Sequence, residues 1–178
     1  TVAIVNLKPE KVRTMELGTK WDLLEDKLNL TAAIFRTEKT NTRSTDADGT
    51  TRNIGETRVD GIELGINGNV TDKWAISAGY TYLDSEIVDD GTATNDGNQV
   101  QNVAENSATL WTTYQVMPQL TLGAGAVAMD KVYGNATNTK FVPGYVRYDA
   151  MARYQVNSNV DLQLNVNNLS DTRYFTKA

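Results

Sequence analysis

Two side chains that carry much of enzyme chemistry are missing from these 178 residues: there is no His and no Cys. No Ser–His or Cys–His pair, imidazole base or thiolate metal site can therefore be assembled. Carboxylates remain. Glu16 and Asp22 stand six positions apart, which on an extended chain is about 20 Å and too far for shared acid–base work. Asp46 and Asp48 followed by Gly49 repeat only part of the spacing that feeds oxygen ligands to calcium. They and the run Asp89 to Asn98 sit among polar turn formers and read as solvated, mobile loops. Gly61, Gly65 and Gly68 interrupt a strand pattern rather than join strand to helix, so they are no phosphate loop. Gly65, Gly79 and Gly123 read as places where another backbone packs closely. No catalytic residue, metal or cofactor is expected, and the chain does not read as an enzyme.

Charge narrows the partners. The net charge is −5 and no Lys/Arg run occurs, which argues against nucleic acid. No apolar run approaches the ~18 residues of a spanning helix, and Thr1 to Asn6 shows neither basic flank nor cleavage pattern. A mean hydropathy of −0.43 suits a soluble β protein and a barrel with a polar lumen equally.

The elements that must position any site are strands. Eight stretches alternate apolar and polar residues with period two, so each has one oily and one wet face. In Trp74–Tyr82 every even position is large or apolar and every odd one small or polar. The same holds for Met15, Leu17, Trp21 and Leu23 against Glu16, Lys20 and Asp22, and for Ile62, Leu64 and Ile66 against Glu63 and Asn67. It holds again for Tyr148, Ala150, Ala152 and Tyr154 against Asp149, Met151, Arg153 and Gln155. Tight breaks fall near 25–27, 71–73, 117–119 and 157–159, and long ones at Asn41–Gly55, Ile87–Glu105 and Gly134–Val142. The rhythm predicts an all-β antiparallel meander of about eight long strands with two unlike ends, the wiring of a partial transmembrane β-barrel. No domain boundary interrupts it.

A soluble sandwich would also show two-faced strands, but its mean strand is ~5–6 residues. The stretches here run to roughly 10–14, matching the ~9–11 needed to cross a bilayer at a tilt. Aromatic residues end the apolar faces. Trp21, Trp74, Tyr114 and Tyr154 lie beside tight turns, and Tyr80, Tyr82 and Tyr148 lie toward the long loops. From Trp74 to Tyr82 is about 20 Å at a ~40° tilt, close to the ~25 Å apolar band between aromatic girdles. These seven are the expected membrane-interface aromatics.

The segment Leu7-Lys8-Pro9-Glu10-Lys11, followed by Met15-Glu16-Leu17-Gly18-Thr19-Lys20, resembles the later barrel strands of TonB-dependent outer-membrane receptors. The resemblance continues through Leu28–Asn41, Arg58-Val59-Asp60-Gly61-Ile62-Glu63-Leu64-Gly65 and Ala78–Glu86, and finishes at Val166–Tyr174. Within that family the chain looks most like siderophore receptors of the catecholate type. The resemblance implies a 22-stranded barrel closed by an N-terminal plug, in the outer membrane of a Gram-negative bacterium. Such a receptor imports ferric siderophore with energy from TonB. No plug, TonB-contacting box or final aromatic-ended strand is recognised, so residues 1–178 read as one region, the C-terminal portion of the barrel without plug or last strand. Eight strands leave two edges unpaired; an open arc is favoured over a small closed barrel, because the wet face has few residues large enough to fill one.

In this family the ligand meets the outer loops and the plug apex. A ferric catecholate is anionic, so the candidates are cations beside rings: Arg43 and Arg52 in the first long loop, and Lys131, Tyr133, Lys140 and Phe141 around the third. Glu16, Lys20, Glu63, Asp149 and Arg153 on the wet face read as lining the channel or holding the plug. The tight turns would face the periplasm and the long loops the outside. Besides siderophore, the implied partners are TonB, through the plug, and outer-membrane lipid. A passive porin-like channel and a soluble all-β binding protein are the alternatives.

Overall fold

The computed structural model describes residues 8–45, 51–91 and 93–178. Among them are ten strands and no helix: β1 (Lys11–Leu23), β2 (Leu28–Thr45), β3 (Thr51–Thr71), β4 (Trp74–Asp89), β5 (Asn106–Met117), β6 (Leu120–Met129), β7 (Val132–Tyr133), β8 (Phe141–Val142), β9 (Tyr145–Asn157) and β10 (Val160–Val166). Eight form one antiparallel sheet in the order β1-β2-β3-β4-β5-β6-β9-β10, while β7 and β8 make a small hairpin of their own. Each strand pairs with its neighbour in the chain, apart from that hairpin inserted between β6 and β9. Nothing among the described residues joins β1 to β10, so the sheet is the open arc.

The register explains the slant of the wall. The rung through Leu28 meets Gly68, yet β3 runs three residues further, to Thr71, before its turn. The rung Trp74–Tyr114 likewise stops three residues short of Met117, and Leu120–Tyr154 three short of Asn157. An offset of three residues per two strands, with ~3.3 Å per residue and ~4.8 Å between strands, tilts the strands by about 45°. Each residue then climbs about 2.3 Å along the axis.

Two expectations need correcting. The break Asn41–Gly55 is mostly strand: β2 runs to Thr45 and β3 starts at Thr51, giving elements of 18 and 21 residues. The sequence of those strand ends is polar apart from Ile54, so period-two hydrophobicity vanishes although the ladder continues. Asn41, at φ 58°, is the bulged residue, and the register shifts around Thr40 and Thr42. The break Gly134–Val142, in turn, closes the β7–β8 hairpin, in which Val132 is 2% exposed.

The sheet has no core of the usual kind. Leu28, Ile87 and Val132 are the buried hydrophobics among the described residues, while Leu17 is 73% and Leu164 66% exposed. Across the rungs the apolar side chains stay on one face: Leu17–Ile34–Ile62–Tyr82, and further along Leu110–Ala126–Tyr148. An apolar face this continuous, left bare by the chain itself, needs an apolar medium.

Candidate functional site

At the long-loop end, two connections form one rim. The segment after β4 turns back so that Ile87 N–H donates to Asn98 O (2.8 Å) and Gly97 N–H to Ile87 O (2.9 Å). Ser85 Oγ accepts from Val100 N–H at 3.3 Å. This loop is sewn to the β7–β8 hairpin. Asn98 Nδ2 donates to Ala136 O (2.9 Å), Gln99 N–H to Asn138 Oδ1 (2.8 Å), Asn138 Nδ2 back to Gln99 O (3.0 Å), and Asn102 N–H to Tyr133 O (2.8 Å). Within the expected loop Asp89–Asn98, Asn98 is the residue that joins this seam, while Asp89, Gly91, Ala93, Thr94, Asp96 and Gly97 are exposed. Asp89, Asp90 and Asp96 do converge, their carboxylate oxygens within 4.8 Å of one another. Asp46 and Asp48 lie outside the described residues.

The rim brings together four of the six candidate ligand residues. Tyr133 and Phe141 face each other in the β7–β8 rung, edge to face, with centroids 6.5 Å apart. Lys131 Nζ donates to Tyr133 Oη at 2.9 Å and stands 4.9 Å from the centre of that ring. The phenol oxygen favours the charged ammonium, which holds the Lys131 pKa above its ordinary value. Lys140 follows on the same hairpin, exposed, its N–H donating to Asn135 Oδ1 at 3.0 Å. The hairpin therefore presents two ammonium groups and two rings, a surface for an anionic aromatic ligand.

The other two stand apart. Arg43 and Arg52 lie at the top of the β2–β3 hairpin, Arg43 opposite Asn53 and Arg52 opposite Ser44. The exposed Arg43 donates its backbone N–H to Glu10 Oε1 at 3.3 Å, and Lys39 Nζ lies 2.9 Å from Glu10 Oε2. Chiefly through Lys39, the Glu10 carboxyl is held below its ordinary pKa.

Sequence reasoning missed a second cation–ring cluster on the wet face at the same end. Tyr145 and Tyr174 stack at 4.5 Å, Arg147 Nη1 donates to Tyr174 Oη at 3.0 Å, and Arg147 also binds Asp149 Oδ2 at 2.9 Å. Tyr145 and Arg147 share a strand face two residues apart, a pattern legible in the sequence; their partner Tyr174 comes from a segment without alternation.

Lower on the wet face stand Glu16 and Lys20 (β1), Glu63 (β3), and Asp149 and Arg153 (β9), all on the expected side, with Arg153 paired to Asp161 at 2.7 Å. The glycines there carry rings rather than phosphates: Phe35 covers Gly61, and Trp111 covers Gly125. On the apolar face Trp21, Trp74, Tyr80, Tyr114, Tyr148 and Tyr154 are exposed and Tyr82 partly so. Trp74 Nε1 donates to Thr112 Oγ1 (2.8 Å) and Tyr80 Oη to Asn106 Oδ1 (2.6 Å). An apolar ring with a satisfied polar tip suits an interface.

Residues 1–169 match the family described as TonB dependent receptor-like, beta-barrel. The chain belongs to that family. TonB-dependent receptors are β-barrels of the Gram-negative outer membrane, and the apolar face is accordingly the lipid-facing one. Among curated relatives, the probable TonB-dependent siderophore receptor PiuA of Acinetobacter baumannii is 63% identical over 182 residues, 97% of this chain and 24% of PiuA. The catecholate siderophore receptor Fiu of Escherichia coli K12 is 40% identical over 95% of this chain and 23% of Fiu. The crystal structure of PiuA superposes with a TM-score of 0.90 at 64% identity, covering 95% of this chain and 26% of that one. For the closed form of Fiu the TM-score is 0.83 at 38% identity, covering 96% and 25%. The chain thus spans about a quarter of the length of these TonB-dependent receptors, and these relatives are siderophore receptors by name.

Proposed function

We propose that the chain is part of the barrel wall of a receptor that takes up a ferric siderophore, of the catecholate class, with energy delivered by TonB. In this reading residues 1–178 form one region in the C-terminal part of a 22-stranded barrel. Other parts of the full-length protein contribute the plug, its contact with TonB and the final strand. Iron enters as cargo, and no catalytic step or resident cofactor is assigned to the chain.

The observation that carries the reading is the β7–β8 hairpin. It holds Lys131, Tyr133, Lys140 and Phe141 together at the loop end of a wall whose relatives are siderophore receptors. A deprotonated catecholate offers charge to the ammonium groups and a ring to the aromatic pair. The tight turns face the periplasm and the rim faces outward. Trp21, Trp74, Tyr114 and Tyr154 sit at the inner interface and Tyr80, Tyr82 and Tyr148 at the outer one. By the tilt derived above, Tyr82 stands about 19 Å above Trp74, within the ~25 Å apolar band.

The test is uptake of radiolabelled iron by a receptor-deleted Gram-negative strain expressing the full-length protein. Catecholate complexes should be taken up, and deletion of tonB should abolish uptake. TonB-independent passage of unrelated solutes would make the barrel a passive channel, and exclusive preference for hydroxamate complexes would remove the catecholate assignment.

A further inference from the structure

Three neighbouring strands carry no charge on the wet face. From Ala75 to Ser85 on β4, Ser107 to Gln115 on β5 and Thr121 to Met129 on β6, every position on that side is uncharged. By contrast, β1 and β9 place Glu16, Lys20, Asp22, Arg147, Asp149 and Arg153 there. Asp149 is itself held by Arg147 at 2.9 Å and by the Asn168 N–H at 2.8 Å. An anion moving down β4–β6 therefore meets no carboxylate on those strands, where repulsion would be poorly screened.

Among the described residues Trp111 is the one aromatic side chain on the wet face of these three strands, in the rung Ser77–Trp111–Gly125–Asp149. Its indole spans two glycines of β6. A Cβ at Gly123 would lie 3.0 Å from Cζ2, and one at Gly125 the same distance from Cζ3. One face of the ring is thus laid against backbone, and Trp111 stays partly exposed on the lumen side. Phe35 is different: it meets Gly61 with its tip, through Cζ and both Cε, and shares a rung with Glu16. Beside the indole, Asn67, Asn69, Ser77 and Thr113 line one cleft. None of their side chains, nor Trp111 Nε1, has a hydrogen-bond partner among the described residues. An open ring face with unused donors and acceptors around it fits a flat polar ligand. Trp111 is six residues back from Met117, so it stands about 14 Å above the turn, midway through the wall. The strand under it, β6, leads into the β7–β8 hairpin, so the ring lies below Lys131 and Tyr133 on the same part of the wall.

We propose that Trp111 is a second ligand station inside the lumen, where a catecholate ring released by the hairpin stacks before it descends along β4–β6. The amides and hydroxyls of the cleft take the hydrogen bonds of the ligand's oxygens. The inference rests on the ferric-catecholate reading above and adds to it a site that acts in transit, not in capture.

The test compares wild type, Trp111→Leu and Trp111→Phe in the full-length receptor, expressed in a receptor-deleted strain and probed with the ferric complex of 2,3-dihydroxybenzoate. Surface binding is measured in the cold, and uptake of the radiolabelled iron on warming. Trp111→Leu keeps the glycines covered but loses the stacking face. Its surface binding should match wild type while uptake falls about ten-fold, the size of one ring–ring contact, and Trp111→Phe should restore most of it. Heat-modifiable gel mobility establishes that each variant barrel is folded. Asn67→Ala/Asn69→Ala alters exposed, unpartnered side chains and should slow uptake about three-fold with the ring in place. Phe35→Leu, a ring lost elsewhere on the same face, should leave uptake unchanged. Equal uptake by wild type and Trp111→Leu, or a parallel loss of surface binding, would overturn the proposal. So would entry of a bulky hydrophilic antibiotic into Trp111→Leu cells lacking tonB, which would make the indole a seat for the plug. A wild-type receptor that took up no ferric catecholate would refute the proposed function, and this site with it.

Discussion

Arginine at position 66 tests the assignment of the two faces most directly. Ile66 is on the apolar side, between Leu30 and Ala78 in the ladder and five residues back from Thr71. At about 2.3 Å of rise per residue it sits about 12 Å above the turn, halfway up an apolar band of ~25 Å. A cation there faces hydrocarbon at the midplane and costs ~2–4 kcal/mol, a loss of roughly 30- to 900-fold in the folding equilibrium. Asn67 is one residue along on the opposite face, beside Asn29 and Ser77, so Asn67→Arg should change stability by less than ~0.5 kcal/mol. Ile62, nine residues back from Thr71, is at about 21 Å, where Ile62→Arg should cost only ~0–1 kcal/mol. The assay is urea-dependent folding of the full-length barrel into lipid vesicles, followed by heat-modifiable gel mobility. An Asn67→Arg cost greater than that of Ile66→Arg would mean that the faces are reversed, and equal costs would refute the two-faced wall. Equal costs at 62 and 66 would refute the depth scale.

Three further outcomes are expected. A Cβ at Gly125 would clash with Trp111 Cε3 and lie 2.8 Å from the Leu110 carbonyl oxygen, so Gly125→Val should destabilise the barrel by ~1–3 kcal/mol and shift Trp111 fluorescence. Asn138→Ala removes both bonds to Gln99 at ~0.5–1.5 kcal/mol each, and hydrogen exchange should quicken in residues 97–102 and 132–140 together, while β5 and β6 stay protected. Glu10 titrates below its ordinary value because Lys39 favours the carboxylate. Its contribution to stability is thus complete above the unfolded-state pKa and disappears as pH falls through the lower folded one. Carboxyl carbon NMR should show that midpoint moving up in Lys39→Met.

Most of the wall could be read from the sequence because a bilayer enforces alternation. Wherever the outward face must be apolar and the inner one wet, as in Trp74–Tyr82 or Leu120–Ala128, side-chain parity is written residue by residue. Where water lies on both sides the same backbone ladder leaves no hydrophobic signal, and that is why β2 and β3 run on through Thr40–Thr45 and from Thr51 unannounced. The rim was half legible. Lys131, Tyr133, Lys140 and Phe141 could be picked out as cations near rings, and a two-rung hairpin brings them together. Arg43 and Arg52 could not be separated from them, because distance across a sheet is not visible in spacing along a chain. The Asn98–Ala136 and Gln99–Asn138 bonds join residues nearly forty positions apart through neutral amides, which in sequence look like any polar loop.

The seam between the two loops also bears on how a ligand would be held. Every bond in it runs between uncharged amides and carbonyls, so neither added salt nor a change of pH loosens it as it would an ion pair. Two flaps moving independently would each have to be ordered by an arriving ligand, at a cost in binding free energy. Sewn together, they form a preorganised lip whose ordering entropy is already spent during folding. Affinity at the β7–β8 hairpin should then depend on the fit of rings and charges, with little left to the closing of loops.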